Sequence, residues 1–164
     1  MSASHTPAQR AQASFDRLSK VAVQLNSASD ELTKSIETLD LKLKRLNLGI
    51  SSWYKYAGVE GEQDGIYWGH YIGYARISNR WGIAIKKDSG HEHIPDSHSE
   101  DSWIFSDAPR QLRAEASDYL PELIDKLISD CENTIKKINT RVSETRQIAD
   151  ALPAGPSPRP APRG

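Results

Sequence analysis

Three histidines stand close together in a polar stretch, at His91, His93 and His98, with Glu92, Asp96, Glu100 and Asp101 among them. On an extended segment, side chains at i and i+2 point the same way. The imidazoles of His91 and His93 can therefore converge on one divalent cation, with His98 or Asp96 completing the set. Such a site would make the chain a metal-binding module or a metal-dependent enzyme. The spacing departs from established zinc patterns such as the helical H-E-x-x-H. A solvated loop accounts for the same residues.

The other chemistry-bearing residues have simpler readings. His70 alternates with aromatic residues, as a half-buried structural histidine in a strand would. Cys131 falls on an apolar helix seam and behaves there as a small hydrophobe. Gly58, Gly61 and Gly65 lack the lysine and the strand-to-helix context of a phosphate-cradling loop. No catalytic residue emerges and no cofactor is called for, so the sequence leans away from an enzyme. Lys126, Lys136, Lys137, Arg141 and Arg146 could line a nucleic-acid stripe next to the Arg-Pro tail, which keeps a nucleic-acid adaptor as a second alternative. Asp125, Asp130, Glu132 and Glu144 are interspersed with them, as on a solvated face. The net charge of −1 gives the whole chain no pull toward nucleic acid or an anionic membrane.

The aromatic residues are more informative. Trp53, Tyr54, Tyr56, Tyr67, Trp68 and Tyr71 are too many large rings for one small core, which predicts a partner-binding surface. They lie in strand-like segments rich in aromatic and β-branched residues: Ile50–Tyr56, Ile66–Ile77, Trp81–Ile85 and Ser102–Phe105. A tight turn at Ser78-Asn79 would set Tyr74 opposite Ile83 and Ile72 opposite Ile85. One face would then carry Trp68, Ile72, Tyr74, Trp81, Ile83 and Ile85. The other would be a shallow floor of Gly69, Gly73 and Ala75 with Tyr67 and Tyr71 as walls. Tyr74-Ala-Arg-Ile-Ser-Asn-Arg-Trp81-Gly82-Ile83 resembles one copy of the hairpin in tryptophan-glycine repeat proteins. It covers about ten residues without repetition and is read as shared hairpin chemistry, not as family membership.

These segments need something to hold them, and both flanks read as long helices. Leu18, Leu25, Leu32, Leu39 and Leu46 recur every seventh residue, preceded by Phe15, Ala22, Ser29, Ile36 and Leu43 three positions earlier. That is the three-four repeat of a coiled-coil seam. Thr6-Pro7-Ala8-Gln9 supplies a capping box, and Asn47 and Gly49 a stop. After the strands, Asp107 is placed as N-cap of a helix that Pro121 kinks. A second seam follows through Ile124, Ile128, Cys131, Ile135, Ile138, Val142, Thr145, Ala149 and Leu152.

The expected fold class is α+β: a long antiparallel helical hairpin, coiled-coil-like, with a small antiparallel sheet inserted between its helices. The divisions are a disordered N-terminus at 1–6, a helix at 7–48, a β head at 49–106, a kinked helix at 107–152 and a disordered Pro-rich tail at 153–164. A third apolar row, Val21 and Ala28 with Leu120, Leu127 and Ile148, predicts an oligomer interface and a homodimer. The lone cysteine and the lack of a signal peptide or membrane-length apolar run predict a cytoplasmic protein with no membrane partner. The predicted function is a protein–protein interaction or scaffold module that self-associates through its helices and presents an aromatic head to a protein partner.

Overall fold

The computed structural model describes residues 6–61 and 64–156. Residues 1–5 and 157–164, where disorder is expected, lie outside the described residues.

Helix α1 spans Pro7–Arg45 and opens with the expected capping box. The Gln9 backbone N–H donates to the Thr6 hydroxyl, and the Gln9 side chain accepts from the Thr6 N–H. It ends where Asn47 and Gly49 take positive φ, 50° and 65°. Strands β1 (Ser52–Val59), β2 (Ile66–Ile77), β3 (Arg80–His91) and β4 (Ser99–Ile104) follow. They form one antiparallel sheet in the order β1-β2-β3-β4. A 3-10 turn at Phe105–Asp107 leads to α2 (Arg110–Ser117) and α3 (Leu120–Ala151). No helix is long and apolar enough to cross a membrane among the described residues.

The β2–β3 hairpin has the register its turn residues dictate, Tyr74 opposite Ile83 and Ile72 opposite Ile85. Ser78 and Asn79 both adopt positive φ, 48° and 66°, the two-residue geometry that matches strand twist. This register turns Ile72, Tyr74, Ile83 and Ile85 to one face. There they meet Ile36 and Leu43 of α1, Phe105 of the 3-10 turn, Ala116 of α2, and Leu123 and Leu127 of α3.

Two carboxylates fasten the long helices to the sheet. Pairing of β3 with β4 stops at Ala84 and Ile104, and beyond it the Ile83 N–H donates to Asp40 of α1 at 2.8 Å. A helix carboxylate thus takes over where the ladder ends, sparing a buried backbone donor. On the other side, the buried Ser52 hydroxyl donates to Asp130 of α3 at 2.6 Å, and Lys126 bonds the same carboxylate.

Several expectations are corrected. The helices do not form an antiparallel hairpin; they contact the strands instead of running along one another. Asn26 meets Arg110 at 2.8 Å and Thr33 meets Arg113 at 2.7 Å, while Leu43 and Leu127 line one cleft. Residue numbers rise together on both sides, so α1 and the α2–α3 segment cross the sheet in the same sense. The sheet buries what the partner helix was expected to bury. Pro121 falls in the first turn of α3, so the chain breaks into two helices instead of kinking. Asp107 lies in the 3-10 turn and pairs with Arg80, while Pro109 precedes α2.

The polar stretch after Ile85 is also largely strand. Lys86 lies 3.8 Å from Glu100 and Lys87 3.8 Å from Asp101, so alternating charges pair across the ladder where a loop was expected.

Asp130 gives this account a pH signature. The hydrogen bond from Lys126, then that from Ser52, holds its pKa below the ordinary carboxylate value. With a depressed folded pKa, its stabilising contribution is complete above the unfolded value of about 3.9 and is lost as pH falls through the folded one. In denaturant titrations between about pH 6 and about pH 2.5, Asp130→Asn should be less stable than the native chain by a margin that narrows toward acid. A margin independent of pH would contradict the charged contact.

Candidate functional site: the open face of the sheet and the free helical arms

The helices all seat on the face of Ile72, Tyr74, Ile83 and Ile85, leaving the opposite face to side chains alone. Three aromatic rings lie flat across glycines there. Trp53 stands opposite Gly73 and covers it so closely that a Cβ at Gly73 would fall 2.3 Å from a ring carbon. The same test gives 2.7 Å between Gly69 and the Tyr71 hydroxyl, and 2.4 Å between Gly90 and the Tyr67 hydroxyl. The expected floor is thus roofed by its own walls.

Charge is woven between the rings. Lys86 Nζ lies 4.8 Å from the Trp53 ring centre and 4.6 Å from that of Tyr71, a double cation–π contact. The Tyr71 hydroxyl donates to Asp88 at 3.2 Å, and burial, with the Asp88 charge, raises its pKa. Lys55 bonds Glu60 at 2.6 Å, which raises the lysine's pKa. The result is a surface on which aromatic and charged features alternate.

The predicted aromatic set is divided between two faces. Trp53, Tyr67 and Tyr71 belong to the open one. Tyr54, Tyr56 and Trp68 share the helix side, where Tyr56 stacks on Tyr119 at 5.0 Å and Trp68 meets His70 edge-on at 5.1 Å. A β-bulge between Lys55 and Ala57 accompanies this aromatic row. Burial, then the Glu115 charge, pushes the Tyr56 pKa up to about 12. Where the row emerges from under the helices, Trp68, His70, Lys87, Ser89, Ser99 and Asp101 line a shallow pocket of about 270 Å³. His70 packs between the Trp68 and Tyr56 rings, as a structural histidine does.

The histidines of the polar stretch have separate partners. Its loop shrinks to Glu92–His98 once β3 and β4 are complete. The His98 ring turns to Tyr67, with Nδ1 2.8 Å from the hydroxyl, while His91 Nδ1 accepts the His93 N–H at 3.1 Å. Asp96 takes positive φ in the turn. Among the described residues, no group of three or more His, Cys, Asp or Glu side chains is placed to hold a metal ion. Cys131 is half-buried in an apolar cleft of about 240 Å³ beside Leu43, Leu48 and Leu127.

The other unusual surface belongs to the long helices. Every residue of α1 from Pro7 to Ala28 is exposed, as is every residue of α3 from Ile135 to Ala151. At 1.5 Å per residue these arms are about 33 Å and about 26 Å long. Phe15 and Leu18 are 63% and 61% exposed, and Ile135 and Ile138 are each 55% exposed. Of the predicted interface row, Val21, Ala28 and Ile148 lie on the arms. Leu127 is in the core and Leu120 packs against it, because the α3 seat needs both flanks of its stripe to cover the sheet. Lys126 and Arg141 of the basic set are paired, with Asp130 and Glu144.

No protein-family model, curated protein or solved structure matches the chain. Its function has to be read from its own geometry.

The seating of the rings can be checked by filling their floor. Gly73→Ala should displace Trp53, cost about 1–3 kcal/mol and shift tryptophan emission to the red. Gly155→Ala, where an added Cβ meets nothing, serves as control. Equal melting temperatures and spectra for the two variants would contradict the ring-on-glycine contact.

Proposed function

We propose that this chain is a non-enzymatic assembly and protein-interaction module. Its helical arms join copies of the chain, and its head displays the flat aromatic face of Trp53, Tyr67, Tyr71 and Lys86 to a protein partner. One observation carries this reading: two arms with apolar stripes extend beyond the head and are covered by nothing among the described residues. Most helical stability in proteins comes from packing of an apolar face, and extended apolar strips mark interfaces. The compartment that fits is the cytoplasm, where a lone, half-buried thiol is at ease.

The alternatives draw less support. A metal-dependent activity would need His98 or Asp96 to join His91 and His93 on one centre, and His98 faces Tyr67 while Asp96 sits in the turn at positive φ. A nucleic-acid adaptor would use the cations along α3, where Asp125, Asp130, Glu132 and Glu144 are interspersed and Lys126 and Arg141 pair with two of these acids.

Light scattering tests the assembly. The intact chain should be dimeric, and Leu18→Glu with Val142→Glu should yield a monomer whose head still melts cooperatively, since both sites lie outside the core. A monomeric intact chain, or a double variant that stays dimeric, would contradict the proposal.

A further inference from the structure

If the arms assemble, as this function requires, the structure also says which arm meets which. The free part of α1 precedes its seat on the head and the free part of α3 follows its own. Because both segments cross the head in the same sense, the arms leave it at opposite ends. Neither arm can cover the other within one chain. Pairing through one arm alone would leave the second stripe open and invite further copies without closure.

We infer that the occupant of each arm is the other arm of a second copy: α1 lies antiparallel against α3 of the partner, twice, about a two-fold axis. The seams fit this arrangement layer by layer. In antiparallel pairs, the a position of one helix faces the d position of the other. One register sets Leu18 opposite Val142 and Leu25 opposite Ile135; three of the four further layers join a large residue to a small one, and the fourth sets Ala11 opposite Ala149. Phe15 meets Thr145, Ala22 meets Ile138, and Ala8 meets Leu152. Alternation of large and small side chains is what lets facing layers interdigitate. The same register sets the axis level with Thr38–Asp40, beside the middle of the α1 seat, and makes the two arm pairs equivalent.

The flanks choose against the competing pairing. A parallel pair of α3 helices would set Arg141 at g opposite Arg146 at e on both sides of the seam. The flanking positions of the α1 arm are Ser14, Ser19, Val21, Asn26 and Ala28, all uncharged. Against them the arginines meet no like charge, so the pairing that closes both stripes is also the one without repulsion.

Cross-linking of mixed variants tests the arrangement apart from assembly itself. In a Cys131→Ser background, Ser19→Cys and Asn139→Cys occupy exposed flanks that face one another in this register without touching the stripe. The two proteins, mixed and treated with a short bis-maleimide, should give a covalent dimer that neither gives alone. A covalent dimer from either variant alone, or none in the mixture while light scattering shows dimers, overturns the pairing but leaves self-association standing. Monomers throughout, the intact chain included, overturn both.

Discussion

The face of this sheet is too small for its helices. The longest strands, β2 and β3, have 12 residues each and run about 40 Å, while α1 and α3 run about 58 Å and about 48 Å. Burial is therefore confined to a seat on each helix, centred on Ile36 and Leu43 in α1 and on Leu123 and Leu127 in α3. Everything outside the seats must be solvated or covered by another molecule. The apolar stripes run on from seat to arm, with Ser29 the polar interruption at the junction in α1, and this is what turns a small α+β head into a candidate for assembly.

The two faces of the sheet divide the work. The helix side holds the aliphatic core and the Tyr54–Tyr119–Tyr56 ring cluster. The open side stabilises itself, with glycines allowing rings to lie flat and Lys86 bridging two of them. Since no helix covers it, that face is free to meet a partner, while Asp40 and Asp130 tie the helices to the other. If two copies pair through their arms, two such faces are presented together, and weak contacts at each gain from bivalency.

Much of the fold was legible. The Thr6 capping box, the Ser78-Asn79 turn and the Tyr74–Ile83 register follow from local chemistry that tertiary packing left alone. The heptad from Phe15 to Leu46 also predicted a buried stripe, but periodicity says which side is buried and not what covers it. Leu32 to Leu43 pack on the head and Phe15 to Leu25 do not, although their spacing is identical. The strands past Ile85 were hidden because Lys86, Lys87, Asp88, Glu100 and Asp101 look like loop composition until their cross-strand partners are known. Of the candidate site, the rings were identified from type alone. Their division between two faces follows from strand alternation once the β1–β2 register is known, which sets Trp53 opposite Gly73 and Tyr54 opposite Ile72.

The central claim is that the arms owe their helical order to other copies and the head does not. Hydrogen exchange, followed residue by residue at protein concentrations above and below dimer dissociation, measures this directly. Amides of Pro7–Ala28 and Ile135–Ala151 should lose protection on dilution, while those of β2 and β3 keep theirs. Arms that stay protected in the dilute monomer would contradict the account. So would a head that loses protection together with them.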